Sequence, residues 1–129
     1  MRIEPFAQSH LDAVVDLCMQ EDWPSWQDAD RTARALEAPG VEALVAVDDE
    51  ELVGVAQLLT DGAVNSYLGV LLVRTSHHGR GIGRALVREL FARGGTARID
   101  LLATEESVPF YRRLGGGEHT GFRLYPESV

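Results

Sequence analysis

Apolar and polar residues recur along the chain with the period of a strand or a helix, and polar turns separate these segments. The first half predicts a strand over 2–6, helices over 11–19 and 28–36, and strands over 41–47, 52–59 and 67–73. The second half predicts a helix from 82 to the Gly94-Gly95 pair, a strand over 97–102, a helix over 104–114 and a strand over 118–124. Pro109 should bend or shorten the start of the last helix. This order predicts an α/β fold with a mixed sheet.

The segment 67–93 carries the most specific pattern. Residues 67–73 form an almost uninterrupted apolar run, which is typical of a strand covered on both faces. A glycine-rich stretch, 74–83, follows, and apolar residues with a helical period begin after Ile82. Glycine lets the backbone approach a ligand closely, and the N-terminus of a helix carries roughly half a positive charge. The sequence therefore predicts a phosphate or pyrophosphate site at this turn.

Two common phosphate motifs do not fit the turn. The dinucleotide fingerprint needs a further glycine, and the nucleoside-triphosphate loop needs a lysine, which this chain lacks altogether. What remains is His78-x-x-Gly81-x-Gly83, which by itself also fits an ordinary tight connection between a strand and a helix. A second motif, Phe110-Tyr111-x-x-Leu114-Gly115, lies in the predicted last helix.

The charge is divided unevenly along the chain. Residues 1–73 hold 14 acids and 3 arginines, whereas residues 74–129 hold 6 acids and 9 arginines. The arginine-rich half contains the predicted phosphate turn and suits a polyanion, while the acidic half either attracts a cation or is simply a solvated surface. The net charge of −8 argues against a nucleic-acid partner.

The sequence gives no support for several other classes of protein. The 129 residues suit one domain over 1–129, no apolar run is long enough for a membrane span, and the first residues lack the apolar core of a signal peptide. Cys18 is the only cysteine and lies among apolar residues, so we expect a core position, no internal disulfide and a cytoplasmic location. No serine-hydrolase elbow or metal-ligand cluster is present, and we expect no metal.

The two motifs together resemble those of the GNAT superfamily of N-acyltransferases. The first is similar to its acyl-CoA signature, Gln/Arg-x-x-Gly-x-Gly/Ala, from which His78 departs. The second is similar to Asn-x-x-Ala-x-x-Phe-Tyr-x-x-Leu-Gly-Phe, from which Thr104, Ser107 and Gly116 depart. The resemblance implies the GNAT fold: a central, mixed, mostly antiparallel sheet of six to seven strands, splayed at the central strand and flanked by about four helices.

The resemblance also implies a coenzyme site. Backbone groups of Leu71, Leu72 and Val73 would bind the pantetheine amides and the thioester carbonyl of acetyl-CoA. Arg74 and Arg113 would reach the ribose phosphate or the adenine. The pyrophosphate would be surrounded by Gly79, Arg80, Gly81, Gly83 and Arg84. The remaining residues expected at the coenzyme are His78, Ile82, Thr104, Ser107, Phe110 and Tyr111.

Transfer to an amine needs a base for the ammonium proton and an acid for the leaving thiolate. Tyr111 matches the tyrosine that the family often uses as the acid toward the coenzyme sulfur; the alternative is an aromatic residue packed in the core. The base stays open among nearby carboxylates, histidines and water, and Glu105 is the candidate that we pair with Tyr111. The other candidates are Glu106, Asp61, His77, His78 and an ordered water chain.

The acceptor is expected to enter from the acidic half. Trp23 and Trp26 lie among acids after the first predicted helix, and with Asp61 they suit a cationic, aromatic or alkyl amine. Alternatively, the tryptophans cover the core. The expected activity is transfer of an acetyl group from acetyl-CoA to a small primary amine by direct attack in a ternary complex. The alternatives are a protein or peptide amine and a non-catalytic acyl-CoA-binding module, in a monomer or homodimer without membrane attachment.

Overall fold

The computed structural model describes residues 1–129. In chain order the elements are β1 Arg2–Pro5, α1 Leu11–Gln20, α2 Ala29–Glu37, β2 Val41–Asp48, β3 Glu51–Thr60, β4 Ser66–Val73, α3 Ile82–Gly94 and α4 Val108–Arg113. The elements predicted from the N-terminus through α3 are confirmed. No helix combines the length and the apolarity needed to cross a membrane.

The four strands form one antiparallel sheet in the order β1-β2-β3-β4. One face packs against α1 and α2, where Val14, Leu17 and Leu36 are buried against alternate residues of β2, β3 and β4. The other face packs against α3, with Leu86 and Leu90 fully buried. Both faces of the sheet are therefore covered, as the apolar runs predict.

The strands predicted over 97–102 and 118–124 do not form, so the sheet has four strands instead of six or seven. Residues 97–102 make a single parallel bridge, in which Leu68 N donates to Asp100 O (2.9 Å) and Asp100 N donates to Ser66 O (3.1 Å). Residues 118–124 are exposed and make no backbone hydrogen bond. A strand requires a hydrogen-bonded neighbour along its length. A local apolar pattern does not show whether such a neighbour exists. The α/β class of the fold is nevertheless as expected.

The last helix is shorter than the predicted 104–114 and begins at Val108. Pro109 falls in its first turn, where a missing N–H costs no helical hydrogen bond, so the expected shortening by Pro109 is confirmed. The preceding turn is closed by reciprocal bonds, in which Thr104 N donates to Ser107 Oγ (3.0 Å) and Ser107 N donates to Thr104 Oγ1 (3.2 Å).

A bulge interrupts the pairing of β3 with β4 at Gly69. Gln57 pairs with Val70 and Leu58 with Leu68, which leaves Gly69 as the extra residue. Leu68 therefore packs on the α3 side and Val70 on the α1 side, although they are two residues apart. Gln57 is buried, and its Nε2 donates to Ala35 O of α2 (3.2 Å) while its Oε1 lies directly against Gly69.

We expect Gly69→Ala to lower the free energy of unfolding by about 1–3 kcal/mol, because the added Cβ would overlap Gln57 Oε1. Urea denaturation of both proteins measures this difference. The matched background is Gln57→Ala, in which the same substitution should cost clearly less. An equal cost in both backgrounds would show that contact with Gln57 is not the cause.

Candidate functional site

A cleft of about 1560 Å³ opens between the end of β4, the start of α3, α4 and the loop that follows α1. It brings together residues from motifs that are distant in the sequence. The predicted residues that line it are Trp23, Trp26, Leu71, Leu72, Val73, His78, Gly79, Gly81, Ile82, Gly83, Arg84, Thr104, Ser107, Phe110, Tyr111 and Arg113.

The wall at the start of α3 is a row of free backbone donors. Gly79 (φ +78°) and Gly81 (φ +79°) adopt the left-handed conformation that favours glycine, and no atom lies within 4 Å of where a Cβ would stand. None of the N–H groups of residues 79–84 donates a hydrogen bond within the chain. Together with the start of a 13-residue helix, these donors suit an anion.

The outer edge of β4 forms the floor of the cleft. After the bridge at Asp100, no backbone hydrogen bond joins residues 69–73 to the segment 97–102. The two segments therefore diverge, and Gly69, Leu71, Leu72 and Val73 line the opening. Free backbone groups on this edge can bind the amides of an extended ligand.

The two adjacent histidines hold the turn between β4 and α3. His78 Nε2 lies 2.8 Å from Val73 O, so its ring closes the turn onto the end of β4. Both nitrogens of His77 have partners, since Nε2 lies 3.4 Å from Asp48 Oδ2 and Nδ1 lies 2.9 Å from Ser76 Oγ. These contacts give the histidines a structural role and weaken their candidacy as the base.

Phe110 and Tyr111 present the second motif to the cleft. A Cβ on Gly83 would come within 3.0 Å of Phe110 Cζ, so glycine allows α3 and α4 to approach closely here. Tyr111 packs edge-on against Phe110, with ring centroids 5.0 Å apart, and contacts the core beneath α3. Burial raises the pKa of the Tyr111 phenol to about 12, which keeps it protonated at neutral pH.

The loop after α1 forms the opposite wall. Trp23 precedes a short 3₁₀ turn that ends at Trp26, and both tryptophans pack against the α1 side of the core, so they both cover the core and line the cleft. Glu21, Asp22 and Glu106 also line the cleft, and none of these carboxylates forms a salt bridge. This wall can therefore attract a cation.

Three arginines line the same cleft. They are Arg84, Arg113 and Arg123, and Arg84 Nη2 donates to Arg113 O (3.3 Å). The acidic half and the arginine-rich half of the chain therefore both contribute charged residues to one cleft. Glu106 is an acid that comes from the arginine-rich half of the chain.

Two of the arginines predicted at the coenzyme point elsewhere. Arg74 forms an ion pair with Glu51 (2.9 Å) and donates to Leu52 O (3.1 Å), so it is turned toward the β2–β3 hairpin. Arg80 does not line the cleft, and its guanidinium lies 3.7 Å from Asp48. The sequence pattern places both residues beside the turn, but acidic partners on the hairpin decide where their side chains go.

Glu105 and Asp61 also lie outside the cleft. Glu105 is exposed, and its neighbour Glu106 faces the opening instead. The Asp61 carboxylate accepts hydrogen bonds from the N–H groups of Ala63 (2.8 Å) and Val64 (2.7 Å), which hold the turn before β4 and lower the Asp61 pKa. Asp61 therefore organises a turn and does not line the cleft with Trp23 and Trp26.

The structure adds Glu21, Asp22, Gly69 and Thr75 to the site, and it places Glu106, one of the open candidates for the base, on the cleft. A signal for Gly69 was present, because an isolated glycine inside a strand pattern indicates a bulge or a close backbone approach. Glu21 and Asp22 directly precede Trp23 in the sequence, but nothing local distinguishes them from other exposed acids.

We expect Tyr111 to make the fold sensitive to alkali. From about pH 10 to 12 the unfolded phenol loses its proton while the folded one keeps it, so stability present below about pH 10 is lost as pH rises. Tyr111→Phe should therefore lose less stability than the parent over this interval, as measured by urea denaturation. The matched control is Tyr125→Phe at an exposed tyrosine, and equal behaviour of the two variants would contradict the prediction.

Comparisons with known proteins agree with this geometry. The sequence model of the Acetyltransferase (GNAT) family matches residues 9–116. The chain is 32% identical over 85 residues to the histone acetyltransferase TAP1 of Glycine max, covering 64% of this chain and 34% of that protein. It is 33% identical over 84 residues to the chloroplastic GCN5-related N-acetyltransferase 2 of Arabidopsis thaliana, covering 63% and 30%. The chain thus spans about a third of the length of these relatives.

The fold is that of solved acetyltransferases. The aminoglycoside 6'-N-acetyltransferase AAC(6')-IG of Acinetobacter haemolyticus superimposes with a TM-score of 0.79, at 16% identity, over 100% of this chain and 99% of that one. The expected GNAT fold is confirmed, with the smaller number of strands described above. Because the family match extends over most of its length and both motifs meet in one cleft, the chain belongs to the GNAT family.

Proposed function

We propose that this protein transfers an acetyl group from acetyl-CoA to a small primary amine. One observation carries the proposal: Gly79 and residues 81–84, whose N–H groups are free, line one cleft together with Tyr111 and an acidic, aromatic wall. The family favours an N-acetyltransferase over a non-catalytic acyl-CoA-binding module.

The residues present fit the parts of acetyl-CoA. The N–H groups of residues 79–84 would bind the pyrophosphate, and the unpaired edge of β4 would bind the pantetheine amides. Arg84 and Arg113 would face the phosphate at the adenine end. Arg74 and Arg80 are not proposed to bind the coenzyme, because their side chains form ion pairs with Glu51 and Asp48. Acetyl-CoA supplies the acetyl group as an activated thioester.

Two side chains are proposed to handle protons. An alkyl amine with a pKa near 10 arrives protonated and must lose a proton before it attacks. Glu106 replaces Glu105 as the proposed base, because it is the carboxylate of this pair that lines the cleft. Tyr111 stays protonated at neutral pH and would donate its hydroxyl hydrogen toward the leaving sulfur as negative charge develops there.

A small amine fits the acceptor wall through two features. The faces of Trp23 and Trp26 offer an apolar and cation-binding surface, and Glu21 and Asp22 supply unpaired negative charge beside them. A protein amine is the second candidate, since one relative is named a histone acetyltransferase. Screening small amines beside peptides for acetylation separates the two candidates.

We expect acetyl-CoA to stabilise the parent protein. Ligand at about 100 times its Kd adds roughly 2.7 kcal/mol to the free energy of unfolding and should raise Tm by on the order of 10 °C in a domain of this size. Gly81→Glu should abolish the rise, because its carboxylate would repel the pyrophosphate. Thermal denaturation with and without acetyl-CoA measures both effects.

Gly62→Glu is the matched control for backbone strain and added charge. Gly62 also has a positive φ (+74°) and open space around its Cα, but it lies outside the cleft. This variant should lose ligand-free stability much as Gly81→Glu does and keep the full response to acetyl-CoA. No response in the parent would remove acetyl-CoA as the donor.

We expect kcat to fall roughly 100-fold or more in Tyr111→Phe and in Glu106→Gln, because each change removes one proposed proton-transfer group. Release of free thiol in the presence of an accepted amine measures the rate. The loss in Glu106→Gln should shrink at high pH, where more of the amine is already neutral.

Glu105→Gln is the matched control, since it removes the neighbouring carboxylate outside the cleft. It should retain the parent kcat. A large loss of kcat in Glu105→Gln, with no loss in Glu106→Gln, would identify Glu105 as the base instead. An unchanged kcat in Tyr111→Phe would exclude the phenol as the acid.

A further inference from the structure

Two contacts join the end of α1 to the turn after β4, and we call them the latch. Arg74 Nη1 donates to Gln20 Oε1, and Thr75 Oγ1 donates to Glu21 Oε1 at 2.5 Å. Each pair is separated by 54 residues in the sequence. The latch therefore connects the acceptor wall to the turn that leads to the free N–H groups of α3.

The turn side of the latch is firmly held. Arg74 is also bound to Glu51 and to Leu52 O of the β2–β3 hairpin, and its backbone N donates to Val53 O (2.7 Å). The side chain of Thr75 thus projects from a fixed point next to the sheet. Its hydroxyl is the group on this turn that reaches Glu21.

The loop side has mainly local support. After Glu21 the chain turns through Asp22 at φ +58°, an uncommon conformation for a residue other than glycine. Trp23 N donates to Cys18 O (2.8 Å), and Trp26 N donates to Trp23 O (3.2 Å). These bonds stay within the loop and α1. In addition to the packing of the tryptophans on the core, the latch ties the loop to the turn after β4 through side-chain hydrogen bonds.

We propose that Thr75 is a positioning residue that determines acceptor affinity, by holding Glu21 and with it the tryptophan wall at the right place in the cleft. This inference rests on the proposed function. The Glu21 carboxylate has no cationic partner in the chain, so its negative charge remains available to an ammonium group while one oxygen is fixed by Thr75.

Thr75 is distinct from the coenzyme-binding groups. Its hydroxyl is engaged with Glu21, and the free N–H groups begin four residues later, at Gly79. His78, which closes the turn through Val73 O, does not use the Thr75 side chain. Removing the hydroxyl should therefore weaken the acceptor site and leave the coenzyme site intact.

The kinetic test compares Thr75→Val, which removes the hydroxyl, with Thr75→Ser, which keeps it. Thr75→Val should raise KM for the amine by roughly tenfold to a hundredfold, the range expected from losing one hydrogen bond to a charged group. The Kd for acetyl-CoA should stay within about twofold, and Thr75→Ser should restore the parent KM. In a Glu21→Ala background, Thr75→Val should add little further loss.

A second measurement does not require that the protein acetylates an amine. Trp23 and Trp26 are the only tryptophans in the chain, so tryptophan fluorescence, excited selectively over the tyrosines, reports on this loop alone. Without ligand, acrylamide should quench Thr75→Val more strongly than the parent or Thr75→Ser, because the loop is no longer tied to the turn.

The possible outcomes test the latch and the proposed function separately. An unchanged amine KM in Thr75→Val, or equal increases in amine KM and acetyl-CoA Kd, would overturn the proposal. If the parent acetylates no amine, the proposed function fails, and the quenching decides about the latch by itself. Equal quenching in all three proteins would then overturn it.

Discussion

The loss of pairing along the outer edge of β4 is the constraint on which the site depends. Strand β4 is joined to the segment 97–102 only near Leu68, through Asp100, and makes no further backbone hydrogen bond to it. A free edge exposes backbone donors and acceptors that a closed sheet would consume. Because α3 follows β4 through the turn 74–81, the unpaired N–H groups at its start belong to the same cleft as this edge.

Glycine makes this surface accessible in different ways at different points. Gly79 and Gly81 supply a backbone conformation that other residues adopt only at a cost, and the space above them is open. Gly83 and Gly69 are instead crowded, by Phe110 and by Gln57, so there the absence of a side chain serves close packing. The bulge at Gly69 also changes which face the following β4 residues present. Conformation and packing thus both contribute to one cleft.

Different interactions stabilise the two walls of the cleft. The wall proposed to bind the coenzyme is backbone on a strand end and a helix start, supported by the core beneath Leu86 and Leu90. The wall proposed to bind the acceptor is a short loop whose tryptophans pack on the core cluster that includes Val70 and Leu72 of β4. The latch adds side-chain hydrogen bonds between this loop and the turn after β4.

The sequence by itself determined the strands and helices through α3, the glycine turn between β4 and α3 and the α/β class, because periodicity and glycine conformation are local properties. It also placed Phe110 and Tyr111 with the glycine turn, through motifs that resemble a known family. Tertiary structure alone decided the rest. The strands predicted over 97–102 and 118–124 lack neighbours, Arg74 follows acidic partners on the hairpin, and Glu106 rather than Glu105 faces the cleft. Pairing partners and side-chain directions depend on residues distant in the sequence, which no local pattern contains.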